Sequence, residues 1–412
     1  MAATIYIDGT DVTNVCITGS ATRRLNRPAQ ATVTIPIKRA IGDVGSRLKI
    51  YFNGTLFHHG MIQMIEDSAD EDTGYTVYNS SDPMEILQYR PVRDYVDIPS
   101  GNAGNFINPS VLKRMKFGPA IIQEVLQASI DAGAGPPADA EGPLFMSLGS
   151  FASGGTNVSG APATWPMTIA ELISLLTSTG TLDVIVRPIE TGVNMGEISA
   201  YNGDYGTNRT GSVVFQFATG ARNVSSIRQS IDLASTCNKL WYFGGKPEIT
   251  RFPWNITGDD PCLNDPRYKY DLGAILGRRA SSQGAYGVRM EIQQHDGDAQ
   301  FNEKDYAAAG PPYPNFCVAA DYTKQDPTRI MHRQLWLTES WIRAVPRTLV
   351  HITPARETNI GTFDIGDIIT VQAGSEFRGG FSGAQRVYAY TISWDNDGVL
   401  ALEEIQTSAD QE

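Results

Sequence analysis

The amino-acid sequence predicts a mainly β fold with α/β insertions. Apolar and polar residues alternate along several short runs, as where Ala31, Val33 and Ile35 are separated by Thr32 and Thr34, and this period of two is typical of half-buried strands. The 40 glycines are spread in turn pairs rather than in tracts, which favours a protein rich in strands and loops. The order of elements near the N-terminus also recurs in the C-terminal third. At 412 residues the chain has the length of two to three domains.

The first 95 residues are predicted to form a small barrel or sandwich of strands closed by one helix. Asn53-Gly54 stands between two apolar runs and predicts a hairpin, because both central residues of a type I′ turn need a positive φ. The acidic stretch Glu66 to Asp72 is predicted to be a solvated loop, since like charges so close together cannot be buried. Asp82-Pro83, with Glu85 placed to reach back to the cap, has the pattern of a helix start. The six predicted strands are Thr4–Ile7, Cys16–Arg24, Gln30–Ile37, Arg47–Phe52, Thr55–Ile65 and Tyr75–Ser80.

Residues 96–222 are predicted to form an inserted loop followed by an α/β region. Apolar residues at helical spacing predict a helix over Gly118–Gly133. Thr168 and Glu171 form a capping box, Met167 and Leu172 are placed as a hydrophobic staple, and a second helix is therefore expected here. A strand over Leu182 to Ile189 follows that helix.

The C-terminal half is predicted to repeat the architecture of the opening. Residues 247–344 are expected to be an irregular insertion with a helix near 327–343, which Asp326-Pro327 would cap. Asp395 to Gly398 is predicted to be a hairpin turn. The predicted strands of this half are Ser225–Asp232, Asn238–Phe243, Arg347–Thr353, Phe363–Val371, Arg386–Trp394 and Val399–Ile405.

Charge and cysteine usage exclude several classes of protein. The formal net charge of −12 argues against a groove that holds nucleic acid through phosphate contacts. The four cysteines are far apart and show no metal-ligand spacing, and Cys16 and Cys237 lie in apolar runs, which predicts buried thiols. No stretch approaches the ~20 apolar residues that cross a bilayer, and Met1 to Asn14 has no apolar core of a signal peptide.

The sequence shows no common catalytic motif, so we predict no catalytic, cofactor-binding or metal-binding residues. His58-His59 lies on a predicted strand, where neighbouring side chains face opposite ways and cannot hold one metal ion together. Asp395, Asp397 and Gly398 resemble part of a calcium loop, but a turn explains them better because the downstream acidic ligand is missing. A carboxylate pair for glycoside hydrolysis stays open. The six tryptophans are expected in the core or at interfaces.

Several segments resemble the hub and minor tail proteins of long-tailed phages, especially those that infect actinobacteria. The resemblance to the first hub barrel lies in IDGTDVT (Ile7–Thr13), RRLNRPAQATVTIPI (Arg23–Ile37), FHHGMIQMIED (Phe57–Asp67) and YTVYNSSDPMEILQYRPV (Tyr75–Val92). Later parts of these proteins are matched by WPMTIAELISLLTSTGTLDVIVRP (Trp165–Pro188), FDIGDIITVQ (Phe363–Gln372) and RVYAYTISWDNDGVLALEEI (Arg386–Ile405).

The resemblance implies two tube-type β-barrel domains in one chain and a helix-containing middle region. The first barrel would be residues 1–95, and the second would combine 223–246 with 345–406. Three such chains would form a ring of six barrels that continues the tail tube in the tail tip of the virion, assembled in the host cytoplasm. Expected partners are two further copies, the distal tail ring, the tape measure and the tip or fibre proteins, with DNA passing through without specific binding. The alternatives are an enzyme that degrades the cell envelope and a tail-tip protein that binds a glycan or receptor.

Overall fold

A computed structural model confirms that the protein is mainly β, with a helix-containing middle region. The residues that the structure describes are 3–69, 74–92, 116–133, 142–154, 157–158, 168–177, 182–190, 192–217, 222–243, 268–271, 274–278, 280–294, 347–355, 360–374 and 380–408.

Most of the described elements are strands. Before residue 210 they are β1 (Ala3–Ile7), β2 (Thr10–Asp11), β3 (Thr18–Arg24), β4 (Gln30–Pro36), β5 (Arg47–Phe52), β6 (Thr55–Ala69), β7 (Gly74–Ser81), β8 (Lys116–Phe117), α1 (Gly118–Gly133), β9 (Met146–Phe151), β10 (Asn157–Val158), α2 (Ile169–Thr177), β11 (Asp183–Pro188) and β12 (Gly196–Tyr201). After it they are β13 (Val214–Phe217), β14 (Val224–Asp232), β15 (Lys239–Phe243), β16 (Tyr268–Asp271), β17 (Ala274–Arg278), α3 (Ala280–Tyr286), β18 (Met290–Gln294), β19 (Arg347–Pro354), β20 (Ile368–Ala373), β21 (Phe381–Trp394) and β22 (Leu400–Ser408).

A 13-stranded sheet joins the two halves of the chain. Its strand order is β14-β19-β22-β21-β3-β4-β7-β6-β5-β1-β2, with β20 on the first half of β21 and β13 on β20. The halves meet where β21 pairs with β3, so Trp394 lies opposite Gly19 and Thr391 opposite Thr22. The eight strands from β14 to β6 are antiparallel to one another throughout. Strands predicted for two separate barrels therefore share one sheet, and their division into domains stays a prediction.

One face of this sheet covers the larger hydrophobic core. On β4 the burial alternates as the sequence predicted, with Ala31, Val33 and Ile35 inside. Trp394 is buried in the same core and packs edge-on against Phe52. Core packing was the role predicted for the tryptophans, and it is confirmed for this one.

The middle region packs two helices on a three-stranded sheet and has its own core. The strand order is β11-β12-β9, and α1 and α2 supply apolar side chains such as Ile121, Leu126 and Leu172. The capping box predicted for α2 is confirmed, because the Thr168 N–H donates to Glu171 Oε2 at 2.7 Å and the Glu171 N–H donates to Thr168 Oγ1 at 3.2 Å. The Met167 half of the predicted staple lies outside the described residues.

Two details predicted for the first barrel are wrong: the acidic loop, and the contact of Glu85 with the cap of the helix. Glu66 to Ala69 continue strand β6 instead of forming a loop, because they pair with β7 while both of their faces stay in solvent, so their charges need no burial. The helix predicted after Asp82 is confirmed and is a 3-10 helix over Pro83–Tyr89. The carboxylate of Asp82 caps it as predicted, but the Asp82 N–H donates to the Ala29 carbonyl rather than to Glu85.

In the C-terminal half, β15 pairs with β17 and β18 in a separate four-stranded sheet. The helix predicted near 327–343 lies outside the described residues. Within the described ranges, we find no helix whose length and hydropathy would let it cross a bilayer.

Candidate functional site

The large sheet turns a polar face away from its core. On β3 and β4 this face carries Ser20, Thr22, Thr32 and Thr34, which alternate with buried apolar residues. The register places Asn79 of β7 beside Thr32, and it places Thr391 of β21 beside Thr22. The polar face is therefore continuous from the N-terminal to the C-terminal half of the chain.

Hydrogen bonds between neighbouring strands order the side chains of this face. The hydroxyls of Thr22 and Thr391 lie 2.8 Å apart, and Thr32 Oγ1 donates to Asn79 Oδ1 at 3.0 Å. Towards β14, His351 Nδ1 lies 2.6 Å from Glu404 Oε1. Short side chains held in this way give a smooth surface with few flexible groups.

The eight strands that carry the polar face contain no lysine. Two of their five arginines, Arg23 and Arg386, form ion pairs with aspartates away from this face, whereas Arg228 lies on the polar face and Arg24 follows Ser20 and Thr22 in the alternation of β3. Because DNA-binding surfaces gain most of their affinity from Lys and Arg on phosphates, a face with so few basic side chains would bind a DNA backbone weakly. Glu66 and Glu404 also lie on this face, so its few charged side chains are of both signs.

A buried ion pair fixes the middle region to the large sheet. Asp183, at the start of β11, pairs with Arg386 of β21, and the two side chains are 3% and 5% exposed. The Arg386 guanidinium also donates to the carbonyls of Tyr205 (2.7 Å) and Gly366 (3.3 Å). The Tyr205 N–H completes the cluster by donating to Asp183 Oδ2 at 3.0 Å. Buried charges satisfied by this many partners hold two elements in one orientation.

A second acidic cluster continues from this pair into the turn before β20. Asp367 accepts hydrogen bonds from the Thr207 N–H at 2.7 Å and from Arg209 Nε at 2.6 Å. Asp364 accepts both hydrogen bonds from Arg23 Nη1, at 3.0 and 2.8 Å, and one from the Tyr390 hydroxyl at 3.0 Å. Burial and the neighbouring Asp364 raise the pKa of Tyr390, so the hydroxyl keeps its proton and donates.

Next to Arg23 a narrow cavity separates β6 from the middle region. Burial lowers the pKa of His58 to about 3 and that of His59 to about 4, so both rings are neutral near pH 7. His58 Nε2 lies 3.0 Å from Ser80 Oγ, whereas His59 Nδ1 lies 2.7 Å from the Ile189 carbonyl oxygen. Burial also raises the pKa of Asp82, which lines the same cavity, to about 7.

The remaining candidate metal-ligating and thiol residues have structural roles. Asp395 Oδ1 accepts hydrogen bonds from the N–H groups of Asp397 and Val399, as in the predicted turn. Cys16 and Cys237 are both buried, which confirms the prediction of buried thiols. The described residues contain no group of three or more His, Cys, Asp or Glu that could hold a metal ion.

Sequence reasoning missed the ionic clusters. Asp183 and Arg386 stand inside predicted apolar strands, where a charged residue is a signal of buried pairing. Four of the segments that carry the resemblance meet here in space. Arg23 lies in Arg23–Ile37, Asp183 in Trp165–Pro188, Asp364 in Phe363–Gln372 and Arg386 in Arg386–Ile405.

Comparison with solved structures identifies this architecture as a fold of phage tail proteins. The resemblance inferred from the sequence is therefore confirmed at the level of the fold. One match is the 43 kDa tail protein of prophage MuSo2 from Shewanella oneidensis, at a TM-score of 0.56 and 12% identity, covering 98% of this chain and 97% of the other. Another is a tail protein from Neisseria meningitidis MC58, at a TM-score of 0.53 and 9% identity, covering 99% and 96%.

At the level of sequence, no family model matches the chain. No curated protein matches it either.

Proposed function

We propose that the chain is a structural hub protein in the tail tip of a tailed phage. Three copies form a pseudo-hexameric ring that connects the tail tube to the tip and leaves a channel for DNA. The observation that carries this proposal is the continuous polar face, which spans both halves of the chain and has the chemistry of a surface that DNA passes without being held. The match in fold to phage tail proteins over nearly the whole chain supports the same class.

The ring follows from two barrel units in each chain, residues 1–95 and residues 223–246 with 345–406. Each ring of three then presents six units to a hexameric tube. The buried pair of Asp183 and Arg386 suits this role, because it fixes the middle region on the shared sheet. The distal tail ring, the tape measure and the tip or fibre proteins are the neighbours that this position in the virion requires.

We propose a role without catalysis. The buried titratable groups, such as His58 and Asp82, are enclosed between elements and are hydrogen-bonded to neighbouring groups. A hydrolytic site would instead need carboxylates or a nucleophile that a bulky envelope polymer could reach.

Light scattering on the purified chain tests the ring. A mass of three chains supports the proposal, whereas a chain that stays monomeric at every concentration and binds no tail component contradicts it. Incubation with cell walls and a glycan-binding screen test the alternatives, since lysis that is abolished by neutralising one carboxylate would establish an enzyme. Inhibition of phage adsorption by the isolated chain would establish a receptor-binding protein.

A further inference from the structure

We infer that strand β14 of one copy pairs with the outer half of strand β6 of the next copy, antiparallel and with Arg228 opposite Glu66. This inference rests on the proposed ring and names the contact that closes it. It follows from two sheet edges that have no second strand partner among the described residues of one chain.

The first open edge is β14, at one end of the large sheet. It pairs with β19 on one side, and the Arg222 side chain covers the carbonyls of Val224 and Ser225 on the other. From Ser226 to Ile231 the described residues supply no second strand, and Ile231 is 62% exposed. An edge of this length with an exposed apolar side chain is a template for another strand.

The second open edge is the outer half of β6. Strand β5 pairs with β6 only as far as Met61. The Ile62 carbonyl then accepts a hydrogen bond from the Gly45 N–H, and the Ile62 N–H donates to the Ser46 carbonyl. From Gln63 to Ser68 β7 is the sole strand partner among the described residues. Met64 in this segment is 45% exposed. Both open edges are six residues long.

The directions of the strands fit an antiparallel junction. β14 and β6 are the first and the last of the eight alternating strands, so they run in opposite directions within one chain. Rotation about the axis of a ring leaves the direction of each strand along that axis unchanged. β14 of one copy therefore meets β6 of the next copy antiparallel, and the alternation continues around the ring.

The two faces of the sheet limit the register. Ile227 on β14 and Ile65 on β6 pack against the hydrophobic core, so Arg228 and Glu66 lie on the polar face. A shift of the register by one residue would place these two isoleucines on opposite faces of the joined sheet, so only every second register is allowed. Among the allowed registers, the one with Arg228 opposite Glu66 joins a basic and an acidic side chain, both exposed in the single chain.

A cross-linking experiment on the full chain tests this register. In the register with Arg228 opposite Glu66, Ser230 of one copy lies opposite Met64 of the next. The variant with Ser230→Cys and Met64→Cys should therefore form disulfides between copies and give a covalent trimer on oxidation. The matched control combines Ser230→Cys with Ser68→Cys, four residues further along β6 and on the same face. At about 13 Å this pair is too far apart for a disulfide and should give no cross-link.

Charge reversal gives an independent measurement, because both residues are exposed and the fold should not change. Arg228→Glu should raise the concentration at which half of the chains are assembled by about tenfold, since like charges then face each other at three junctions. Adding Glu66→Arg should restore assembly, whereas Glu66→Arg alone should weaken it.

The outcomes separate this inference from the proposed function. If light scattering shows trimers while the cysteines cross-link only in the control pair or in neither pair, that result overturns the inference but still supports the proposed ring. Cross-linking of the single variant Ser230→Cys with itself also overturns it, because that shows two β14 strands together. A chain that is monomeric throughout overturns both.

Discussion

Neutralising Asp183 should destabilise the protein strongly without changing the shape of the side chain. Asp183→Asn keeps the size of the group and its ability to accept the Tyr205 N–H, but it leaves the Arg386 guanidinium, 5% exposed, without its counter-charge. Removing one partner of a buried pair costs about 3–5 kcal/mol, because the remaining charge stays desolvated. We therefore expect the free energy of unfolding to fall by about 3–5 kcal/mol.

Urea titration followed by tryptophan fluorescence measures this loss. The control is Glu404→Gln, because the Glu404 side chain, in contact with His351, is 41% exposed and that of His351 is 34% exposed, and a pair this exposed contributes at most about 1 kcal/mol. If Asp183→Asn costs no more than Glu404→Gln, the pair does not fix the middle region and the reasoning about the buried cluster fails.

Three further predictions concern other parts of the fold. Folding favours the neutral rings of His58 and His59, so the stability present above pH 6.5 should be lost as the pH falls, by about 3 kcal/mol per ring at pH 4. Asp82, with its pKa raised to about 7, acts in the opposite sense, because its protonated form favours folding at low pH. Urea titration at several pH values should therefore show a smaller loss of unfolding free energy on acidification for His58→Asn and a larger loss for Asp82→Asn. Thr168→Ala removes the cap of α2 and should cost about 0.5–2 kcal/mol, while Thr168→Ser, which keeps the hydroxyl, should cost much less by the same assay. Gly206→Ala should lower the melting temperature more than Gly211→Ala, because Gly206 has φ +112° and an added Cβ would lie 2.1 Å from the Gly366 carbonyl oxygen; equal melting temperatures would contradict this.

Local patterns in the sequence predicted the local structure well. The Asn53-Gly54 hairpin has the expected positive φ at both residues, 51° and 79°, because turn geometry depends on the residues of the turn itself. Helix α1 begins and ends as predicted at Gly118 and Gly133. The acidic run after Ile65 misled the prediction, because charge excludes burial but does not exclude an exposed edge strand.

Long-range pairing could not be predicted from the same patterns. The pairing of β3 with β21 joins residues more than 360 positions apart, and alternation shows that a strand has two faces without showing its neighbours. The partner of Arg386 was hidden for the same reason, since Asp183 and Arg386 are 203 positions apart. The polar face emerged only when the register placed the hydroxyls of separate strands side by side.

Electron cryo-microscopy of the assembled tail tests the central claim most directly. We predict three copies of this chain in one ring, with Thr22, Thr32 and Asn79 facing the channel and β14 of each copy beside β6 of the next. A ring in which these side chains face away from the channel, or a single copy at the tip, would contradict the account.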